Sequence, residues 1–134
     1  MLAMTHVAGT VVYCLDLARM RAFYAGVGAL ELLDDGPGFV VLGLEDVEVS
    51  LVQASPDAVA AHGPLPDPVP RRVDNPVKLV LPVDSLAEAR AAAPGLGGVV
   101  DPESCTWPFR GGRICDGHDP EGNVVAFREP APAR

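Results

Sequence analysis

Positive charge is scarce in this chain. Its 134 residues include 10 Lys or Arg against 18 Asp or Glu, a net charge of −8. Nucleic acids and anionic membrane surfaces are held mainly by cationic side chains, so neither is an expected partner. Long apolar runs are also missing. Residues 1–9 carry no basic region, and the apolar runs are strand-sized, which predicts neither a signal peptide nor a membrane span. Cysteine is limited to Cys14, Cys105 and Cys115, an odd number without a Cys-x-x-Cys pair. That pattern argues against a disulfide framework and a zinc ribbon, and points to a reduced, cytoplasmic protein. What the chain does have is apolar content, 49%, enough for one packed core in a single domain spanning 1–134.

Residues 7–15 are apolar and β-branched, as a buried strand requires. Asp16 then offers an N-cap, and Leu17, Met20, Tyr24 and Val27 recur at helical spacing until Gly26 and Gly28. Strand-like stretches follow at 30–33, 39–42 and 47–53, separated by Asp- and Gly-rich turns. Module one, about 5–53, therefore reads β-α-β-β-β. Residues 54–76 are proline-rich and lack periodicity, which predicts a linker with one short helix near 58–61.

Module two, about 77–130, repeats the pattern. A strand at 77–83 leads to a capping box of Ser85 and Glu88, then a helix bearing Leu86, Ala89 and Ala93 that stops at Pro94. Strands are expected at 98–100, 109–116 and 123–128. The segments VVYCLDLARMRA and LVLPVDSLAEAR align with Asp16 over Asp84, as an internal duplication would leave them.

Residues 116–130, DGHDPEGNVVAFREP, close the second module. Asp119-Pro120-Glu121-Gly122-Asn123 is a turn in which Pro fixes φ, Gly and Asn tolerate positive φ, and Asp caps. This segment resembles the C-terminal signature of the vicinal oxygen chelate superfamily, which contains glyoxalase I, extradiol dioxygenases and bleomycin-resistance proteins. Residues 16–30, with Phe23 and Tyr24, resemble that superfamily's first helix. The resemblance implies an α+β fold of two tandem βαβββ modules forming a U-shaped mixed sheet around a cleft.

Metal-dependent members place one His, Glu or Gln ligand on the first and last strand of each module. Carried onto this chain, the resemblance puts those positions at Gly9, Ser50, Val77 and Ala126. Three have no donor side chain and serine is a poor ligand, so the implied protein has no metal and no cofactor. His6, His62 and His118 read as solvated or turn residues, and the crowding of Asp116, His118 and Asp119 leaves a surface cation as a remote option.

Strand alternation then sets the cleft face. Gly9 shares it with Val11 and Tyr13, Ser50 with Glu48 and Val52, Val77 with Leu79 and Leu81, and Ala126 with Val124 and Arg128. Phe39, Trp107 and Phe109 complete the expected ligand-binding set, the last two as a stacking surface at the mouth or, equally, as core or dimer packing. The opposite face, carrying Val12, Val47, Val49, Leu51, Val80, Val125 and Phe127, should pack beneath the helices.

Within the superfamily the chain is most similar to metal-free bleomycin-resistance proteins, with Gly111-Gly112-Arg113 matching their Gly-Arg step. Those proteins act as dimers that sequester a drug between subunits. The implied function is a non-catalytic, homodimeric binder of an apolar or aromatic small molecule, such as an antibiotic. The alternative is a metal-independent isomerase, lyase or cyclase using Glu48, Tyr13 or Arg128 as acid, base or oxyanion partner. A ligandless dimeric scaffold is the third reading.

Overall fold

In the computed structural model, which describes residues 6–132, strand β1 (Ala8–Cys14) runs into helix α1 (Leu17–Val27). Residues 1–5, with the expected start of module one, lie outside the described residues. Asp16 caps α1 by accepting from the Arg19 N–H at 3.1 Å. Strands β2 (Glu31–Gly36), β3 (Phe39–Leu44) and β4 (Val47–Gln53) follow. The sheet order is β1-β4-β3-β2, with β1 parallel to β4 and the other pairs antiparallel. The proline-rich segment carries one short helix, α2 (Pro56–His62), capped by Ser55, and then crosses to module two without regular structure.

Module two opens on β5 (Leu79–Pro82) and α3 (Leu86–Ala92), and continues through β6 (Val99–Val100), β7 (Trp107–Phe109), β8 (Gly112–His118) and β9 (Val124–Glu129). Its order is β5-β9-β8-β6, with β7 also paired to β8. The single strand expected at 109–116 is instead a hairpin. Arg110 and Gly111 both have positive φ, 48° and 82°, so the chain reverses between β7 and β8. Two consecutive left-handed residues make the tight turn whose twist suits a hairpin, and glycine supplies the second without strain.

The helix-facing sides of both sheets share one core, with Met20, Phe23 and Tyr24 of α1 and Leu86 and Ala89 of α3 packed on Val49, Leu51, Val125 and Phe127. Phe23 meets Phe127 edge-on with ring centroids 6.2 Å apart, joining the first helix to the last strand. Of the valines assigned to this face, Val80 is instead on the open side of β5, and Val47 keeps the row of Val49 and Leu51 but is exposed at the start of its strand.

The 119–123 turn holds the modules together through two buried carboxylates. Glu121, 3% exposed, accepts from the backbone N–H groups of Leu15 and Asp16 at 2.8 and 2.9 Å. Asp119 is fully buried. One of its oxygens accepts from the Tyr24 hydroxyl at 2.7 Å and from Asn123 Nδ2 at 2.9 Å, and the other from the backbone of Glu121 and Asn123. A carboxylate with its lone pairs filled by N–H and O–H donors can stand inside a protein. The start of α1 is thus completed from across the module boundary, 105 and 106 residues away in sequence. Burial, and after it the charges of Glu121 and Asp119, pushes the neighbouring Cys14 thiol up to about 12. Burial and then Asp119 likewise raise the Tyr24 phenol above its ordinary range.

Candidate functional site

The helices cover one face of each sheet and leave the other open. On the open face of the first sheet, the cross-strand pairs are Gly9 with Glu48, Val11 with Ser50, and Tyr13 with Val52. Strand β3 extends each row with Gly43, Val41 and Phe39. Gly9, Val11, Tyr13, Phe39, Glu48 and Ser50 therefore sit together on one small lattice. Val11 is 57% and Tyr13 72% exposed, unusual for groups of this size unless something covers them.

The same logic on the second sheet corrects the expected register. Leu79 pairs with Val125 and Leu81 with Phe127, so both leucines take the core-side row; Leu81 is fully buried, whereas Leu79 is only partly buried and also reaches the groove at the sheet edge. The open face carries Val80 and Pro82, paired with Ala126 and Arg128. The slip traces to the alignment of Asp16 with Asp84. Ser85, the residue expected to cap, does accept the Glu88 N–H at 3.1 Å and is the true counterpart of Asp16. Ser85 stands 69 residues after Asp16, as Leu86 does after Leu17. The first residue of each helix confirms the match, since Gln53 accepts from the Leu17 N–H and Glu129 from the Leu86 N–H. At that spacing the partner of Gly9 is Lys78, not Val77.

Lys78 is the chain's one lysine. Its Nζ lies 3.1 Å from both carboxylate oxygens of Asp116. The four matched positions therefore hold Gly9, Ser50, Lys78 and Ala126: one hydroxyl, and an ammonium already engaged by a carboxylate. This donor set does not fit a divalent cation, which needs imidazole, carboxylate or thiolate ligands. The crowded acids near His118 do not make a cation site either. Asp119 is buried in its own turn and Asp116 is paired with Lys78, and no group of three potential ligands occurs among the described residues.

Ala126, Arg128, Trp107 and Phe109 belong to module two's open side. Trp107 lies across Ile114 from Arg128, and the Arg128 guanidinium sits 5.2 Å from the centre of the Phe109 ring. Trp107 is 40% exposed, so it is neither core nor free. Ile114 and Ala126 are buried yet stand outside the shared core, in keeping with their place on the other side of the sheet.

Where the modules meet, a groove of about 320 Å³ runs along the edge of β1. It brings Val11 and Tyr13 together with Val77, Leu79 and Val124, with Arg72 and Asn75 of the linker at its side. A second groove of about 420 Å³ shares Arg72, Asn75 and Val124 with it and ends at Arg71, Lys78 and Asp116. The linker residues went unnoticed in sequence because nothing periodic marks a segment that runs over a surface, and Lys78 because the register was one residue off.

The sequence model of the glyoxalase-like domain matches residues 9–127, nearly the whole chain. The chain belongs to the glyoxalase-like domain family. It is thereby a member of the vicinal oxygen chelate superfamily. Solved structures repeat the fold of this glyoxalase-like chain. A glyoxalase/bleomycin resistance protein/dioxygenase family enzyme from Burkholderia phytofirmans PsJN is 15% identical, with a TM-score of 0.62 over 93% of this chain and 98% of that one. An antibiotic binding protein from Streptomyces sp. CB03234 is 24% identical, TM-score 0.59, covering 98% and 100%. A bleomycin resistance determinant encoded on the transposon Tn5 is 19% identical, TM-score 0.53, covering 94% and 98%. No curated protein sequence matches the chain.

Proposed function

We propose that this glyoxalase-like protein is a metal-independent, non-catalytic binder that sequesters an apolar or aromatic small molecule, an antibiotic being the class its structural neighbours suggest. The observation that carries the reading is the open lattice of Val11, Tyr13 and Phe39, lightly decorated by Ser50 and Glu48. Apolar rings and aliphatic groups left in water gain free energy from a flat organic partner, at about 25 cal/mol per Å² covered. Small residues at Gly9 and Ala126, where related enzymes carry ligands, leave room for its body. Trp107 and Phe109 on the second open face supply a matching aromatic surface, and a two-fold pair of chains would lay one such face over the other. The protein acts as a homodimer in a reducing cytoplasm, with all three cysteines free.

A thermal-shift screen of natural-product antibiotics and aromatic metabolites tests this directly. A ligand present at 100 times its Kd stabilises the fold by about 2.7 kcal/mol, roughly 10 °C for a chain of this size. A screen without hits, or a hit that requires added zinc, iron or manganese, refutes the reading. A hit converted to product on incubation replaces sequestration by catalysis. Light scattering at micromolar concentration that gives the mass of one chain refutes the dimer.

A further inference from the structure

The two connected grooves differ in character. The one along β1 is walled by Val11, Tyr13, Val77 and Leu79, whereas its continuation ends among Arg71, Arg72 and Lys78. Three of the ten Lys and Arg side chains of a chain with net charge −8 therefore meet in one short channel.

Their partners are unequal. Arg71 is committed to Asp101, with both terminal nitrogens bonded to its two oxygens. Lys78 gives one N–H to each oxygen of Asp116 at 3.1 Å and, having three donors, keeps one. Asp116 thereby aims the ammonium rather than consuming it. Arg72 forms no ion pair among the described residues; its backbone N–H bonds Gly122, which fixes the chain while the guanidinium stays at the groove. Asn75 accepts from the Val77 N–H through Oδ1, so its amide NH2 is left as a further donor beside Arg72. The junction of the grooves thus carries the Arg72 guanidinium and the Asn75 amide, with one spare Lys78 N–H further along the second groove, where the Asp116 carboxylate is already engaged by that ammonium.

We propose that Arg72 and Lys78 bind the anionic end of the ligand, which is an organic carboxylate whose apolar body lies along β1 over Val11 and Tyr13. The proposal rests on the small-molecule reading above and narrows it to one charge class. A planar carboxylate accepts a guanidinium fork on one side and an ammonium on the other, and such charge-assisted bonds are short and directional. The position matters as well. Lys78 stands where the first-strand ligand of module two would be, so a fixed ammonium occupies the place of a metal's positive charge.

Three probes of one shape separate the outcomes: 2-naphthoate, 2-naphthamide and 2-naphthylmethylammonium, each followed by equilibrium dialysis at low salt. Naphthoate should bind at least about tenfold more tightly than naphthamide, the range expected for one charge-assisted contact, with the cation weakest. Arg72→Gln, at an exposed position, should narrow that ratio. Adding Lys78→Gln should erase it. Because Lys78 is the sole lysine, reductive methylation followed by peptide mapping gives a second readout: naphthoate slows labelling of its amine and naphthamide does not. Equal binding of the acid and the amide to the unaltered protein overturns the anion assignment and leaves the small-molecule reading standing. A preference that survives in the double variant also overturns it, because the anion then sits elsewhere. Failure of all three probes at concentrations on the order of 1 mM overturns both readings together.

Discussion

Replacing Glu121 should cost more than any surface substitution. Its two oxygens receive the Leu15 and Asp16 N–H groups at 2.8 and 2.9 Å, and at 3% exposure water has almost no access to take its place. Hydrogen bonds to a charged acceptor contribute about 1.5–3 kcal/mol each, and a buried donor left without a partner keeps its desolvation cost. Glu121→Ala removes both acceptors, so a loss of about 3–5 kcal/mol is expected. Glu121→Gln keeps one acceptor and turns an NH2 toward the second N–H, for about 2 kcal/mol. Unfolding entropy near 60 °C is about 2.1 cal/mol/K per residue, or roughly 0.28 kcal/mol/K for the whole chain, so these losses become drops in Tm of about 10–18 °C and 7 °C. Thermal unfolding followed by circular dichroism gives the numbers, with exposed Glu88→Gln as the control expected to stay within about 2 °C. A Glu121→Ala protein that melts within about 4 °C of the original would show that the carboxylate does not join the modules.

Ser85→Ala should destabilise by about 1 kcal/mol and Asp84→Ala by less than half that, which decides which residue caps α3 and hence the register of β5. Burial, and after it the charge of Arg71, holds His118 below its ordinary pKa. The unfolded chain then binds the proton more readily, so the stabilisation is full above the ordinary value of 6.5 and is lost as pH falls through the depressed one. Tm should accordingly drop more between pH 7 and pH 5 in the original than in His118→Asn; equal drops would contradict the assignment. Of the three thiols only Cys105 is exposed, and Cys14 is both buried and pushed up to about 12, so Ellman's reagent should read about one equivalent before unfolding and three after. Two fast thiols in the native protein would contradict that burial. If open faces meet in a dimer, emission from Trp107 should move to shorter wavelength as concentration rises through the association range, and an unchanged spectrum would exclude it from the interface.

Module one was legible because one unambiguous cap set its frame. Asp16 has no competitor beside it, so counting seven residues back to Gly9, and from there by alternation to Val11 and Tyr13, put them on the open face where they stand. In module two Asp84 stands beside the capping Ser85, and aligning Asp16 with Asp84 instead of Ser85 turned β5 over by one residue, since strand faces repeat every second position. That one step sent Leu79 to the wrong side and hid Lys78. The β7–β8 turn escaped notice for a different reason: Phe109-Arg110-Gly111-Gly112 reads as strand until a non-glycine residue is known to accept positive φ. Glu121 had no local signal at all. A variable position inside a turn motif shows its partner only when the fold brings Leu15 beside it.

Helix capping across the modules runs one way. Helix α3 is capped by Ser85 and completed by Glu129, both from its own half, whereas α1 takes Gln53 from its own half and Glu121 from the other. During synthesis the first module leaves the ribosome before its closing contacts exist. A nascent chain that ends near residue 63 has β1, α1 and β4, but the Leu15 and Asp16 N–H groups and the Tyr24 hydroxyl still lack the acceptors they will bury against. Emergence of residues 119–123 sets the earliest moment at which the first helix is fully capped, so the half translated first waits for the half translated last.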